Sequence, residues 1–314
     1  MGNHAIAIHG GAGRLMTGAL SPEKEKAYHE KLSEALQTGY TILTNGGTAV
    51  DAVEATVRIL EDSPLFNAGK GSVFNCEGQN EMDASIMNGK NLKAGAIAAV
   101  HTVRNPVTCA RAVMEKSPHV LLAGHGAEKF AEECGMEIVP PSYFYDEERY
   151  QHWVATKDME GASWAGDTYI INQANVEKKL GTVGCVALDS AGNLAAATST
   201  GGVNNKKFGR VGDSPIIGAG CYADNKTCAV SCTGEGEYFI RQSTAYDIAA
   251  LMEYKGFTVA QAATEAIKKI AQLGGEGGLI AIDNQGTISV PFNTSSMFRG
   301  WIDNKGEKFT GIFR

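Results

Sequence analysis

Residues 178–202 read KKLGTVGCVALDSAGNLAAATSTGG, two runs of small residues around a glycine-containing turn. Glycine weakens a strand, yet Gly181 and Gly184 bracket Thr182-Val183 where a strand should begin. Sheet strength therefore does not account for this composition. If Ser190-Ala191-Gly192 forms a three-residue loop, Asp189 faces Asn193. Counting outward then sets Thr182 directly opposite Thr200, with both side chains on one face; a four-residue loop would shift the pairing by one residue. Two hydroxyls meeting beside Gly201-Gly202 look more like a site than like packing.

The bulk numbers narrow the setting. The chain of 314 residues is 43% hydrophobic, enough for a substantial core in one large domain or two. A net charge of -7 argues against nucleic acid or an anionic membrane as the main partner. No run approaches the roughly 20 apolar residues of a membrane span, and MGNHAIAIHGGAG lacks the pattern of a secretory signal. A cytoplasmic protein is expected. The seven cysteines have no metal-ligand spacing and read as reduced packing thiols; Cys228 and Cys232 should share one face of a strand. Glycine is abundant, 38 residues against 8 prolines, and lies between apolar runs, which suggests tight turns and close backbone approaches rather than disorder.

Along the chain, AIAIHGG (5–11) reads as a buried strand ending in a glycine loop. Ser21-Pro22 opens a helix to about Asn45. Thr48 with Asp51 caps a second helix whose apolar face carries Val50, Val53, Val57 and Leu60. A strand over 92–100, a helix over 106–116 and a strand in HVLLAG (119–124) follow, then helices near 125–134 and 146–160. Periodicity fades over 161–179, as in a linker. Strands resume at Thr182, helices return at 236–254 and 258–272, and residues 278–292 form a hairpin about Asn284-Gln285-Gly286. Central strands with outer helices in both halves predict a layered α+β sandwich.

Elimination leaves little chemistry. HGGAGRL (9–15) lacks the third glycine of a dinucleotide loop, and there is no GxxxxGK[ST], HExxH, CxxC or GxSxG. His9, at the end of a buried strand, reads as a hydrogen-bonded structural residue. Threonine as nucleophile remains. An internal threonine hydroxyl lacks a base, but at a chain terminus its own α-amino group, with an ordinary pKa of about 7.7–8.0, serves as one. That requires scission of Gly181–Thr182. Spacing alone favours the plainer reading of Thr182 as a β-branched strand opener.

The motifs AIHGGAG (7–13), LEDSPLFNAGKGSVF (60–74), MDASIMNG (82–89), GTVGCVALD (181–189), ATSTGG (197–202), GRVGDSPIIGAG (209–220) and CTGEGE (232–237), in this order, resemble the plant-type asparaginase/isoaspartyl peptidase family of N-terminal-nucleophile (Ntn) hydrolases, its bacterial members in particular. The resemblance implies one domain, 1–314, folded as a four-layer αββα sandwich. It further implies autocleavage into an α subunit, 1–181, with a linker over about 161–181, and a β subunit, 182–314. On this resemblance Thr182 is the nucleophile and Thr200 its hydrogen-bonding neighbour. Thr233 and Gly234 form the oxyanion hole, Arg210 binds the substrate α-carboxylate and Asp213 the α-ammonium. Gly236 shapes the binding loop, and Asn67 supports the amino group of Thr182. Main-chain carbonyls of Leu60, Glu61, Ser63, Phe66, Ala68 and Lys70 would hold a structural sodium ion, with no catalytic cofactor. The implied substrates are β-aspartyl dipeptides and L-asparagine, and the implied assembly is an (αβ)2 oligomer. The rivals are a glycosylasparaginase, against which the absent signal argues, and an uncleaved binding protein on the same scaffold, against which the intact Thr182, Thr200, Arg210, Asp213 and Thr233 argue.

Overall fold

The hairpin count of the central stretch holds in the computed structural model, which describes residues 3–158 and 181–314. Strands β5 (Val183–Leu188) and β6 (Leu194–Thr200) pair with Val183 opposite Ser199 and Leu188 opposite Leu194. The Asp189 amide donates to the Asn193 carbonyl at 2.9 Å across the Ser190-Ala191-Gly192 loop. This register continues to Thr182 and Thr200.

Around the hairpin, the first half supplies β1 (Ala5–Gly13), α1 (Pro22–Thr44), α2 (Ala49–Glu61), β2 (Met82–Asn88) and β3 (Ala94–Val100). Helix α3 (Pro106–Lys116), β4 (Leu121–Ala123), α4 (Gly124–Glu133) and α5 (Glu147–Thr156) complete it. The second half continues with β7 (Cys221–Ala223), β8 (Cys228–Gly234), α6 (Gly236–Gln242), α7 (Thr244–Lys255) and α8 (Val259–Gln272). Strands β9 (Gly277–Asp283), β10 (Ile288–Ser289), β11 (Ser296–Ile302) and β12 (Lys308–Phe313) close the chain. Among the described residues the larger sheet runs β12-β11-β1-β5-β6-β2-β3-β4 and the smaller β10-β9-β8-β7.

Period-two alternation assigns the layers. On one face of the larger sheet Ile6, Ile8, Val183, Cys185 and Ile86 pack with Leu32, Val53 and Val57 from α1 and α2. On its other face Ala5, Ala7, Val186, Leu188, Leu194 and Ala196 meet Ala229, Ile280 and Ile282 of the smaller sheet. The far face of that sheet, with Cys228, Val230, Cys232 and Leu279, packs on α7 and α8. The order is helix, sheet, sheet, helix. Cys228 and Cys232 do share a face, and all seven cysteines are free. No helix among the described residues is long and apolar enough to cross a membrane.

The helix starts follow their caps: the Lys24 amide donates to Ser21 Oγ and the Asp51 amide to Thr48 Oγ1, as short polar side chains do for the unpaired first-turn amides. Four expectations need correction. The glycine run after His9 is no loop; β1 continues to Gly13 with a register shift between His9 and Gly11, a bulge that a glycine without a side chain accommodates beside the Phe66 ring. The helix expected over 236–254 breaks at Ser243, which is left-handed at φ 46°. The strand in HVLLAG shrinks to three residues at the sheet edge. The helix expected over 146–160 ends at Thr156 with Lys157 as its C-cap, and the fading segment expected as a linker lies outside the described residues.

Along the inter-sheet layer the composition changes in steps. Leu188 and Leu194 pair at one end, then Val186 and Ala196, then Gly184 with Thr198 on one side and His9 on the other. A Cβ on Gly184 would collide with Ser231 Oγ and His9 Nε2. The glycine therefore exists to let a polar pair lie flat beneath the strand. Gly184→Ala is expected to destabilise the protein by about 1–3 kcal/mol through overpacking, read as a lower urea midpoint at constant m-value; an unchanged midpoint would show that His9 and Ser231 move aside freely.

Candidate active site

The polar end of the inter-sheet layer opens into a pocket lined by Thr182, Thr200, Arg210, Asp213, Ser214 and Gly234, together with Ala12, Gly13 and Arg14 of the β1 end. Thr182 Oγ1 donates to Thr200 Oγ1 at 3.2 Å and lies 3.3 Å from Ser214 Oγ. The Gly202 amide also donates to Thr200 Oγ1, at 3.0 Å. Thr200 is therefore held in place as the acceptor of the Thr182 hydrogen bond. Ser214 was not singled out in the sequence, although it directly follows Asp213; its carbonyl accepts from Ser85 Oγ at 2.6 Å, which ties the loop to β2.

Beneath Thr182, its carbonyl accepts from His9 Nδ1 at 3.1 Å, and His9 Nε2 meets Ser231 Oγ at 2.9 Å. A carbonyl only accepts, so Nδ1 carries the proton and Nε2 accepts from Ser231. Complete burial lowers the imidazole to about 3, the Thr182 contact only partly opposing it, so the ring is neutral. Ser231 Oγ, its own proton on His9, accepts from Thr198 Oγ1 at 2.7 Å, and the Gly220 carbonyl lies 3.2 Å from the same Thr198 hydroxyl. This buried chain of neutral groups anchors the backbone of Thr182.

Across the pocket, Thr233 Oγ1 accepts from the Ala12 amide at 3.2 Å. With that amide on an oxygen lone pair, the hydroxyl hydrogen remains free to be given to a developing oxyanion. A Cβ on Gly181 would stand 3.4 Å from the same oxygen, so Thr233 neighbours the Gly181–Thr182 junction. Gly234 adopts φ 147°, and a Cβ there would strike the Glu276 carbonyl and Gly277; only glycine fits.

Arg210 and Asp213 sit together at one side. Arg210 is held bidentately by Glu237, Nε and Nη2 each donating at 2.9 Å. Burial opposes its charge, but the Glu237 pair outweighs this and raises the pKa. Asp213 is 3% exposed and its Oδ2 has no hydrogen-bond partner among the described residues. Burial pushes the carboxyl up to about 7 against the pull of Arg210, while Glu237 and Asp83 push in the same direction as burial. Asp213 lines the pocket, and a buried carboxyl with an unpartnered oxygen there is suited to a cationic ligand group. Gly236 leaves room for it, since a Cβ there would lie 2.7 Å from Asp213 Oδ1 and 3.1 Å from Arg210 Nη2.

Asn67 lies outside this first ring of groups. Its amide donates to the Gly202 carbonyl at 2.7 Å and its oxygen accepts from the Val73 amide. None of its described side-chain hydrogen bonds reaches Thr182. It acts on the turn that carries Thr200. The loop after α2 turns carbonyls inward: a Cβ on Gly69 would press on the Glu61 carbonyl, and one on Gly71 on those of Phe66 and Pro64. The side chains there are engaged elsewhere. The Glu61 carboxyl accepts from the Val107 amide and Asn105, Ser63 Oγ accepts from the Leu65 amide, and the Lys70 ammonium lies 5.4 Å from the centre of the Tyr143 ring. Of the carbonyls expected to hold an ion, those of Leu60, Phe66 and Ala68 accept from the amides of Ser63, Ala68 and Gly71.

The model of a family described as asparaginase matches residues 2–312. The chain is 50% identical over 319 residues to an isoaspartyl peptidase of Escherichia coli (strain K12), covering 100% of this chain and 97% of that protein. It is likewise 50% identical to an isoaspartyl peptidase of Salmonella typhimurium, covering 100% of both. To an isoaspartyl peptidase/L-asparaginase of Mus musculus it is 46% identical, over 93% of this chain and 86% of the other. Similarity of this extent runs through both sheets and every element around the pocket, and the chain belongs to the asparaginase family of Ntn hydrolases.

Proposed function

We propose that the protein is an autoprocessed threonine hydrolase that cleaves β-aspartyl dipeptides and L-asparagine. The observation that carries this reading is the Thr182 hydroxyl, aligned on Thr200 and Ser214 immediately after Gly181 and facing a buried carboxylate with an unpartnered oxygen. In maturation, Thr182 Oγ adds to the Gly181 carbonyl and its proton passes to the released Thr182 nitrogen. Water then cleaves the resulting ester, leaving a Gly181 carboxylate and a free Thr182 α-amino group. The products are subunits 1–181 and 182–314, which stay associated.

In turnover that amino group takes the hydroxyl proton as Oγ attacks the side-chain carbonyl of the aspartyl group. The Thr233 hydroxyl and the Gly234 amide receive the oxyanion. The amine departs with the proton, and water hydrolyses the β-aspartyl ester. Arg210 offers its fork to the substrate α-carboxylate, which joins or replaces the exposed Glu237 carboxylate, and Asp213 pairs with the α-ammonium. Asn67 supports the site through the Thr200 turn. The loop carbonyls of Leu60, Glu61, Ser63, Phe66, Ala68 and Lys70 would hold a sodium ion that fixes the end of α2. A cytoplasmic setting accords with seven free thiols, and an (αβ)2 assembly belongs to the same proposal.

Purified protein is expected to separate under denaturing conditions into pieces of roughly 19 and 14 kDa, by proportion of the whole at 33.2 kDa, the smaller beginning Thr-Val-Gly-Cys. Thr182→Ala should remain one inactive chain; cleavage at the junction in that variant would remove Thr182 from the reaction. On one matured preparation, kcat/KM should be highest for β-Asp-Leu, lower for L-asparagine and lowest for N-acetylglucosaminyl-asparagine. A win for the glycosylated substrate would reassign the leaving group while retaining the threonine mechanism.

Acidity offers a separate check. Binding an ammonium needs Asp213 ionised, and its carboxyl is raised to about 7, while the Thr182 amine must be unprotonated. The acid limb of kcat/KM should therefore steepen toward a two-proton slope, and Asp213→Asn should flatten it to one while lowering the plateau at least tenfold. The stability effect has the opposite sign. Between the ordinary carboxylate value and about 7 the folded protein retains a proton that the unfolded chain releases, so stability falls as pH rises through that window. Asp213→Asn abolishes this loss and should melt higher than the parent near pH 8. A variant with full activity, or an unchanged slope, would separate Asp213 from substrate binding.

A further inference from the structure

Besides Arg210, Asp213 and Glu237, the pocket is lined by three charged residues: Arg14, Glu235 and Glu276. Arg14 and Glu276 form a bidentate pair, Nε to Oε2 at 2.6 Å and Nη2 to Oε1 at 2.9 Å. Glu235 is tied to the same place. Its amide donates to the Glu276 carbonyl at 3.0 Å, and its Oε2 accepts from the Glu276 amide at 2.9 Å. Burial raises the Glu235 carboxyl above the ordinary carboxylate value, with Glu276 and Glu237 adding to it, against the pull of the Glu276 amide and of Arg14. With one positive and two negative side chains, the rim has a net charge of minus one.

The chain's course sets this rim against the aspartyl anchors. Thr233 and Gly234 lie at the oxyanion position; the next residue, Glu235, turns toward Glu276, and Gly236 turns toward Asp213 and Arg210. Ala12, whose amide holds Thr233, is two residues from Arg14 on the other strand. A substrate with its α-carboxylate on Arg210 and its reacting carbonyl between Thr182 and Thr233 must project its leaving amine away from Arg210. That direction leads to Arg14, Glu235 and Glu276.

Resting on the catalytic reading above, we infer that these three residues form the leaving-group subsite and that their net negative charge selects β-aspartyl dipeptides whose second residue is basic over those whose second residue is acidic. Every such dipeptide carries the same free carboxylate on its second residue, so a comparison among them isolates the side chain. The side chains of Arg14 and Glu276 are 45% and 34% exposed, so each charge acts through partly aqueous surroundings and has a modest, salt-sensitive effect.

The test is the ratio of kcat/KM for β-Asp-Lys to that for β-Asp-Glu, measured near pH 8 at low ionic strength on matured enzyme. The ratio should exceed one in the parent and fall about threefold in Glu276→Gln. It should rise about threefold in Arg14→Gln, the scale of one partly exposed charge pair. High salt should draw all three ratios toward one. Opposite movement by the two partners of a single ion pair is the diagnostic. Loss of a merely structural salt bridge would move both variants the same way, and that result, or a flat ratio, overturns the inference while leaving catalysis intact. If the parent cleaves none of the dipeptides, the catalytic reading itself fails and this one with it.

Discussion

The constraint on which the site depends lies where β5 crosses the smaller sheet without a side chain. At Gly184 the backbone approaches Ser231 and His9 so closely that no Cβ fits. His9 thereby reaches the Thr182 carbonyl from one strand while Ser231 holds it from the opposite sheet. The position of Thr182 is thus set by the spacing between two sheets, which the apolar layer of Ala5, Ala7, Val186, Leu188 and Ile280 maintains. A thicker inter-sheet layer would separate Thr182 from Thr233. Close packing transmits such changes because interiors have little free volume to absorb them.

The site concentrates arrangements that a purely stable protein would avoid. Asp213 is buried with an oxygen lacking a partner, Gly234 and Gly236 give up side-chain contacts, and the strand bearing the nucleophile contains a glycine. These weaknesses are tolerable because both faces of the larger sheet are covered, so neighbouring strands are constrained by packing as well as by ladder hydrogen bonds. The His9 relay shows the complementary strategy. All its groups are neutral and mutually hydrogen-bonded, which avoids the desolvation penalty of a charge at that depth. Charge stands instead at the pocket wall, where Arg210 is engaged by Glu237, and in the buried Lys206–Glu81 pair.

How far the sequence disclosed this arrangement depended on the range of each interaction. Turn chemistry around Asp189 and Asn193 is local, and it gave the register that brings Thr182 to Thr200. Caps at Ser21 and Thr48 are equally local and mark helix starts to within a residue. The break at Ser243 has no glycine or proline near it in the sequence to mark it. Its cause is conformational: a left-handed residue between α6 and α7, with Thr244 Oγ1 donating to the Phe239 carbonyl. The roles of Thr233, Arg210 and Asp213 entered through the family's motifs, since no periodicity brings 182, 210 and 233 together. Ser214 escaped notice although it adjoins Asp213, because a serine before proline usually signals a turn.

Least legible were the pairs separated by most of the chain. His9 with Ser231 and Arg14 with Glu276 are 222 and 262 residues apart, and each side chain has an ordinary surface or core explanation when read alone. What joins them is β1, which enters the middle of the larger sheet, pairs with β5 and β11 and reaches past the smaller sheet through its bulge. From one strand, alternate positions serve the spacing layer at Ala5 and Ala7, the nucleophile's support at His9 and, beyond the bulge, the Thr233 hydroxyl through the Ala12 amide. Arg14 follows at the rim. The polarity gradient along β1, from alanine through histidine to arginine, is the same gradient that runs from the sandwich interior to the mouth of the pocket. Its meaning becomes visible only when the neighbouring strands are in place.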